Sequence, residues 1–208
     1  VAQGLEVVDV PEGCTAFVTV QYSNCSVSHH YTCEADEPGH QWRVDIGEEG
    51  PYFLGRIDRE TQWLESIDLI LGVRDLLDPD PVDPGSFTEL AQTGRDDFEF
   101  STTSDSGEQM FFRGRDLLTG ETVVIDDVPL LRTETFARAT NAEGELVWES
   151  TGNEYIHLDW RLFLAGNYVT RTPEQTVQEE SRPVRFDFPE DQGFLSRDPA
   201  FGCGAELL

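Results

Sequence analysis

The feature that most restricts the fold of this chain is its punctuation by glycine. Turn-like pairs recur along it, among them Gly47-Glu48, Gly107-Glu108, Gly120-Glu121, Gly144-Glu145 and Gly152-Asn153. Glycine supplies the positive φ that tight hairpin turns need. The stretches between these turns run to roughly 6 to 10 residues, the spacing of a sandwich or barrel and too short for βαβ units.

Alternation within the stretches supports strands. In residues 96–103, Phe98 and Phe100 share a face opposite Asp97 and Glu99. Folding this segment back around Asp105 sets Phe100 against Met110 and Phe98 against Phe112, a coherent apolar face. Residues 154–164 read as one extended strand. Ile156, Leu158, Trp160, Leu162 and Leu164 line one side of it, and Tyr155, His157, Asp159, Arg161 and Phe163 line the other.

Helix is scarce. Residues 62–77 carry a weak helical face, undercut by Gly72 and β-branched residues. Thr172-Pro173-Glu174-Gln175 has the form of a capping box opening a single helical turn. Residues 78–85, rich in proline and aspartate, read as a stiff exposed loop. Residues 189–208 read as irregular chain. No repeat of fixed period is present, which argues against propellers and solenoids. The expected fold is therefore all-β, one domain over residues 1–208. It is an antiparallel meander curled into a barrel or a strongly curved sheet, with at most one or two short helices.

Four cysteines, Cys14, Cys25, Cys33 and Cys203, form an even set with no close C-x-x-C pair, so disulfides are the better reading than zinc. Residues 14–22 and 25–33 alternate around Ser23 and Asn24. A two-residue turn there makes hairpin partners sum to 47 and sets Cys14 opposite Cys33, Val18 opposite His29 and Val20 opposite Val27. That leaves Cys25 for Cys203. In this register the Cys14/Cys33 pair falls on a hydrogen-bonded position, whose α-carbons are the farther apart. Disulfides imply an oxidising compartment, the periplasm or the cell exterior. Val1-Ala2-Gln3-Gly4 reads as the end of a small-residue cleavage site, in keeping with a removed signal peptide.

Charge limits the partners. All 14 basic residues are arginine, and 41 carboxylates bring the formal net charge to −27. The acids are spread along the chain, as on the solvated face of a folded body rather than in a disordered tail. Such a surface repels phosphate backbones and anionic leaflets, which excludes nucleic acid as a partner. No run of apolar residues is long enough for a transmembrane helix. A carboxylate-rich, lysine-free surface suits salty surroundings; a GC-rich genome that favours arginine codons is the simpler alternative.

Candidate chemistry is sparse. No dinucleotide, P-loop, G-x-S-x-G or H-E-x-x-H motif is present, and no cofactor is expected. The general form resembles lipocalin-like and periplasmic lipid-carrier folds at the level of architecture alone, and architecture does not decide function. The favoured expectation is a non-catalytic secreted or periplasmic protein holding an apolar or amphipathic small molecule in a β-lined hollow, with Phe98, Phe100, Phe112 and Trp160 as its lining. One rival is a hydrolase using the row His157, Asp159 and Arg161. Another is a structural or adhesion module that binds calcium through Asp78, Asp80 and Asp83.

The charge generates a prediction. Self-repulsion at −27 destabilises the compact state, and salt screens it over a Debye length of about 10 Å at 0.1 M. The melting temperature, followed by circular dichroism, is expected to climb as sodium chloride rises from tens of millimolar toward molar. A flat response would leave codon usage as the account of the missing lysine.

Overall fold

A computed structural model describes residues 8–204. The reading of Val1 to Gly4 as a cleavage-site remnant lies outside them. Within them the chain is a single curved antiparallel sheet of 14 strands, not closed into a barrel. The first six strands are β1 (Cys14–Tyr22), β2 (Ser26–Cys33), β3 (Gln41–Gly47), β4 (Gly50–Ile57), β5 (Trp63–Asp68) and β6 (Val73–Leu77). Helix α1 (Phe87–Thr93) follows, then β7 (Arg95–Ser104), β8 (Gln109–Ile125), β9 (Val128–Asn141) and β10 (Leu146–His157). The chain ends with β11 (Leu162–Leu164), β12 (Asn167–Arg171), β13 (Thr176–Glu180) and β14 (Pro183–Asp187).

Each strand from β1 to β10 pairs with its sequence neighbours, β11 and β12 both lie on β10, and β13 extends β12. The exception is β14, which returns to pair with β1. The two edges of the sheet are thus β13 and β14, joined by only Ser181 and Arg182. Thirteen strands laid flat at about 4.8 Å apiece would put the edges nearly 60 Å apart. Three peptide units reach no farther than about 11 Å. The sheet must therefore curl until its edges meet at this end. Ser23, in the β1–β2 turn, ties the seam. Its backbone N–H donates to the Arg182 carbonyl at 3.0 Å, and its hydroxyl donates to the Glu180 carbonyl at 3.2 Å while accepting from the Arg182 N–H at 3.1 Å.

Both disulfides have the expected partners, Cys14 with Cys33 and Cys25 with Cys203. The hairpin that carries them departs from the simple register. Its loop holds three residues, closed by Cys25 at φ 58°, and a bulge near Phe17 absorbs the difference. Partners sum to 47 at the cysteine end but to 48 near the turn, so Val18 faces His30 and Thr19 faces His29. The bulge also makes Cys14/Cys33 a non-hydrogen-bonded pair. The ladder bond flanks it, from the Glu34 N–H to the Gly13 carbonyl, and the α-carbons are 3.9 Å apart. The objection raised by the two-residue turn disappears with that turn.

Other local expectations are corrected in the same way. The β7–β8 register is shifted by two, with Phe100 opposite Phe112 and Phe98 opposite Gly114, because the connection runs from Ser104 to Glu108 and is longer than a turn centred on Asp105. The apolar face survives the shift, since two residues preserve parity. Residues 154–164 are not one strand. The chain reverses through Leu158 to Arg161, with Arg161 at φ 51°, and β11 folds back so that Leu162 lies opposite His157. Residues 62–77 form the β5–β6 hairpin rather than a helix, with Ile70 and Leu71 76 and 75 % exposed at its tip. The Thr172 hydroxyl does receive the Glu174 and Gln175 N–H groups, but in the β12–β13 turn. Of the presumed glycine turns, Gly120 sits at a bulge inside the 17-residue β8, and Gly152 lies within β10 where the Asn167 backbone leaves no room for a Cβ.

Helix α1, absent from the sequence expectation, had clear signals. Ser86 caps its N-terminus by accepting from the Glu89 N–H, and Gly94 ends it at φ 82°. The irregular chain after β14 packs over the outer side of β1 and β2. Gln21 exchanges bonds there with the Asp198 carbonyl and the Ala200 N–H, and the Leu195 N–H donates to Thr19. This cover explains why Thr19, Gln21 and His29 are as buried as Val18 and Val20 on the other face.

The disulfide loops predict an order of stabilities. Cys25 and Cys203 are 178 residues apart and Cys14 and Cys33 are 19 apart. Chain-entropy scaling gives about 5 kcal/mol for the long loop and about 3 for the short one. Urea denaturation of the two double Cys→Ser variants is expected to show the greater loss for the Cys25/Cys203 pair.

Candidate functional site

The apolar residues do not form one core. One cluster joins Val18, Val20, Leu130, Leu162 and Phe186; a second joins Phe87 and Leu90 of α1 to Ile156; a third joins Phe100, Phe112 and Ala139. A partly open hollow of about 460 Å³ touches all three, lined by Leu162 from the first, by Phe163 packed on the second, and by Phe98 and Phe100 of the third. That volume lies within the range of small-molecule pockets, roughly 300 to 1,000 Å³.

Of the four residues expected to line a hollow, Phe98 and Phe100 do. Phe98 lies over Gly114, where a Cβ would collide with its ring. Phe112 stands behind Phe100, stacked on it with ring centroids 5.1 Å apart, and turns toward a shallow groove beside residues 80–82. Trp160 does not line the hollow. It is in the turn before β11, stacked on His157 at 3.7 Å and packed against Phe186.

The polar lining went unread in the sequence, although the alternation contained it. Asp96 stands two residues before Phe98, Asp116 two after Gly114, and Glu154 two before Ile156, each on the inward face of its strand. Asp96 and Asp116 are direct partners across β7 and β8, and Asp116 is opposite Thr135 of β9. Asp96 and Asp116 are only 5 and 7 % exposed. The Asp96 carboxylate accepts the Ser86 N–H at 2.9 Å, and Glu154 accepts the Tyr168 hydroxyl at 2.7 Å. The Asp116 Oδ1 has no partner.

Burial governs how these groups titrate. Desolvation, reinforced by Asp116 and by Glu89 and Asp83, lifts Asp96 to about 7 against the Ser86 bond that favours its charge. Asp116 rises to about 7 by desolvation and by the nearby Glu154, against a hydrogen bond from Thr135. Burial raises Glu154 too, opposed by Tyr168 and Arg43. On the far wall, desolvation drives His30 well below its usual range, helped by Arg43, so it is neutral, and its Nε2 has no partner. The arginines of the hollow are already matched. Arg43 lies 3.1 Å from Asp45 and over the Phe53 ring, and Arg56 pairs with Asp36 at 3.3 Å and Glu65 at 3.1 Å.

The rival sites are not assembled. The reversal at Leu158 to Arg161 removes the common face of His157, Asp159 and Arg161. His157 Nδ1 accepts the Trp160 N–H, while Arg161 reaches Glu60 at 2.9 Å and the Thr88 hydroxyl. Asp78 accepts from Ser101, Thr103 and Gln109 and so fastens the start of the loop to β7 and β8. It does not converge with Asp80 and Asp83. Among the described residues the one grouping of metal-ligand atoms is Cys25, Glu48 and Cys203, whose sulfurs are joined in the disulfide.

Comparison of the chain with protein-family models, curated proteins and solved structures finds no match in any of the three.

The buried carboxyls predict a pH signature. Asp116 titrates near 7 in the folded protein and near 3.8 when unfolded. Between these values the unfolded state has already lost its proton, so stability falls as pH rises from about 4 to about 7. His29, lowered to about 4 by burial, and His30 act oppositely below 6.5, since each must charge on unfolding. Asp116→Asn removes only the first effect. Its stability advantage over the parent protein, measured by urea denaturation, is expected to widen from pH 4 to pH 8.

Proposed function

We propose that this chain is a non-catalytic binding protein of the periplasm or cell exterior that holds a small amphipathic molecule in the hollow of its curved sheet. The observation that carries this reading is the hollow itself, about 460 Å³ and lined by both aromatic side chains and buried carboxyls. Interiors are normally filled. A chain with this many aromatic residues that leaves such a space unfilled has a use for it. The two disulfides support an oxidising compartment, and among the described residues no helix is long and apolar enough to cross a membrane. The surface charge supports a small-molecule partner over nucleic acid.

A hydrolase built on His157 is disfavoured because Arg161 turns away to Glu60 and the Thr88 hydroxyl, and His157 Nδ1 is taken up by the Trp160 N–H. The Asp96–Asp116 pair favours a second reading, acid–base catalysis within the hollow, since carboxyls titrating near neutrality serve equally as acid and base. Recovery of a bound natural ligand chemically unchanged after prolonged incubation would overturn that alternative.

The binding reading is tested with a neutral apolar fluorophore, N-phenyl-1-naphthylamine. One molecule is expected to bind per chain. Ala137→Phe, which fills the hollow from β9, should weaken binding about tenfold or more, a loss of at least ~1.4 kcal/mol. Trp160→Ala, outside the hollow, should leave the affinity unchanged when the fold is intact. Absence of binding, or binding indifferent to Ala137→Phe, would refute the proposal.

A further inference from the structure

Resting on that reading, we propose that the molecule held in the hollow is an amine, its ammonium head against Asp96, Asp116 and Glu154 and its apolar body against Phe98, Phe100 and Phe163. Charge balance points to a cation. The two arginines of the hollow already have carboxylates of their own, Asp45 for Arg43 and Asp36 with Glu65 for Arg56. The other three acids, Asp96, Asp116 and Glu154, have no basic group within ion-pair distance among the described residues. They lie on adjoining regions of β7, β8 and β10, so their charges add rather than cancel.

On the carboxylate stretch the unpartnered lining atom is an acceptor, Oδ1 of the 7 % exposed Asp116. Elsewhere in the lining stand Oε1 of Gln41, Nε2 of the neutral His30, and the Nε donors of Arg43 and Arg56, whose guanidinium groups lie beside carboxylates of their own. An ammonium offers three donors and no acceptor. The size of the cation also follows. The three carboxylates do not bring their oxygens together closely enough to ligate one metal ion. They form a wall rather than a cage. A wall of carboxylates beside aromatic faces suits an organic cation, which gains from both.

The pH dependence has a definite sign. Asp116 is flanked by Asp96 on β7 and is acted on by Glu154 on β10. Glu154 in turn meets Tyr168 on β12 and is acted on by Arg43 on β3, the neutral His30 on β2 lines the same hollow, and Glu89 of α1 and Asp83 act on Asp96. An alkylammonium keeps its charge well above neutrality, as lysine does. The carboxyls gain theirs as pH rises through about 7. Affinity for an amine therefore rises over that interval, and affinity for a neutral isostere does not.

The test is calorimetric titration of the full chain with decylammonium, decanol and decanoate, at pH 8 and pH 5.5 and in low and molar salt. Decylammonium is expected to bind one per chain, about tenfold or more tighter than decanol at pH 8, equivalent to ~1.4 kcal/mol. Decanoate should be weakest. Binding of decylammonium should weaken at pH 5.5 and persist in molar salt, which screens attraction to the acidic exterior. Asp116→Asn, or Glu154→Gln should the first not fold, should remove the preference for decylammonium and leave decanol unaffected. Equal affinities for decylammonium and decanol, indifference to these substitutions, or loss of binding in molar salt would overturn the amine assignment and leave the hollow as a site for neutral ligands. Failure of all three probes to bind would instead overturn the binding reading itself.

Discussion

The pairing of β14 with β1 is the contact on which the rest of this structure depends. All the other ladders join strands that are neighbours or near neighbours in sequence and would form in a flat meander. Thr19 and Asp187 are partners across almost the whole chain. Closing so long a loop costs several kcal/mol, of order (3/2)RT ln n. That cost is offset by the Cys25–Cys203 bond, which removes much the same entropy from the unfolded chain. The Ser23 hydrogen bonds then fix the seam where β13 passes into β14. With its edges brought together, the sheet has an inside, and the hollow is that inside.

What fills the inside is a compromise between packing and charge. The three apolar clusters close off different parts of the interior, and polar groups occupy the space between them. Arginines there come with carboxylate partners, as buried charge requires. Asp96 and Asp116 do not. Both titrate far above their usual range, first because burial strips the charged carboxylate of water and then because of a neighbouring acid, Asp116 in the case of Asp96 and Glu154 in the case of Asp116. Groups that work against stability are common where a site must bind something. The outer face shows the opposite arrangement. Its arginine–carboxylate pairs, such as Arg95 with Asp97, lie in solvent, where water and salt screen them and they add little to stability.

Several parts of this design were legible in the chain. The cysteine pairing followed from two cysteines facing each other on one hairpin. Parity alone put Phe98, Phe100 and Phe112 on one face, and a register error of two residues did not disturb it. The same parity marked Asp96, Asp116 and Glu154, since a carboxylate in step with aromatic residues is an anomaly. The Ser86-to-Glu89 cap and Gly94 likewise announced α1. Elsewhere the pattern misled. Alternation runs unbroken from Ile156 to Leu164 although the chain reverses within it, so Trp160 was assigned to a lining it does not join.

By itself, then, the sequence determined the properties that depend on near neighbours: strands rather than helices, the inward face of each strand, the disulfide partners and the acidic exterior. These follow from periodicity and local geometry, which repeat every two residues whatever the rest of the chain does. Tertiary structure decided how far the sheet curls, where bulges shift the register, and which inward residues meet. Those outcomes depend on pairing β1 with β14 and on how three clusters share the interior. Asp96 and Asp116 face each other across the β7–β8 hairpin, and Glu154 stands on β10 with β9 between. The actual register of that hairpin, two residues from the one its turn suggested, sets the first two together, and that meeting gives the hollow its chemical character.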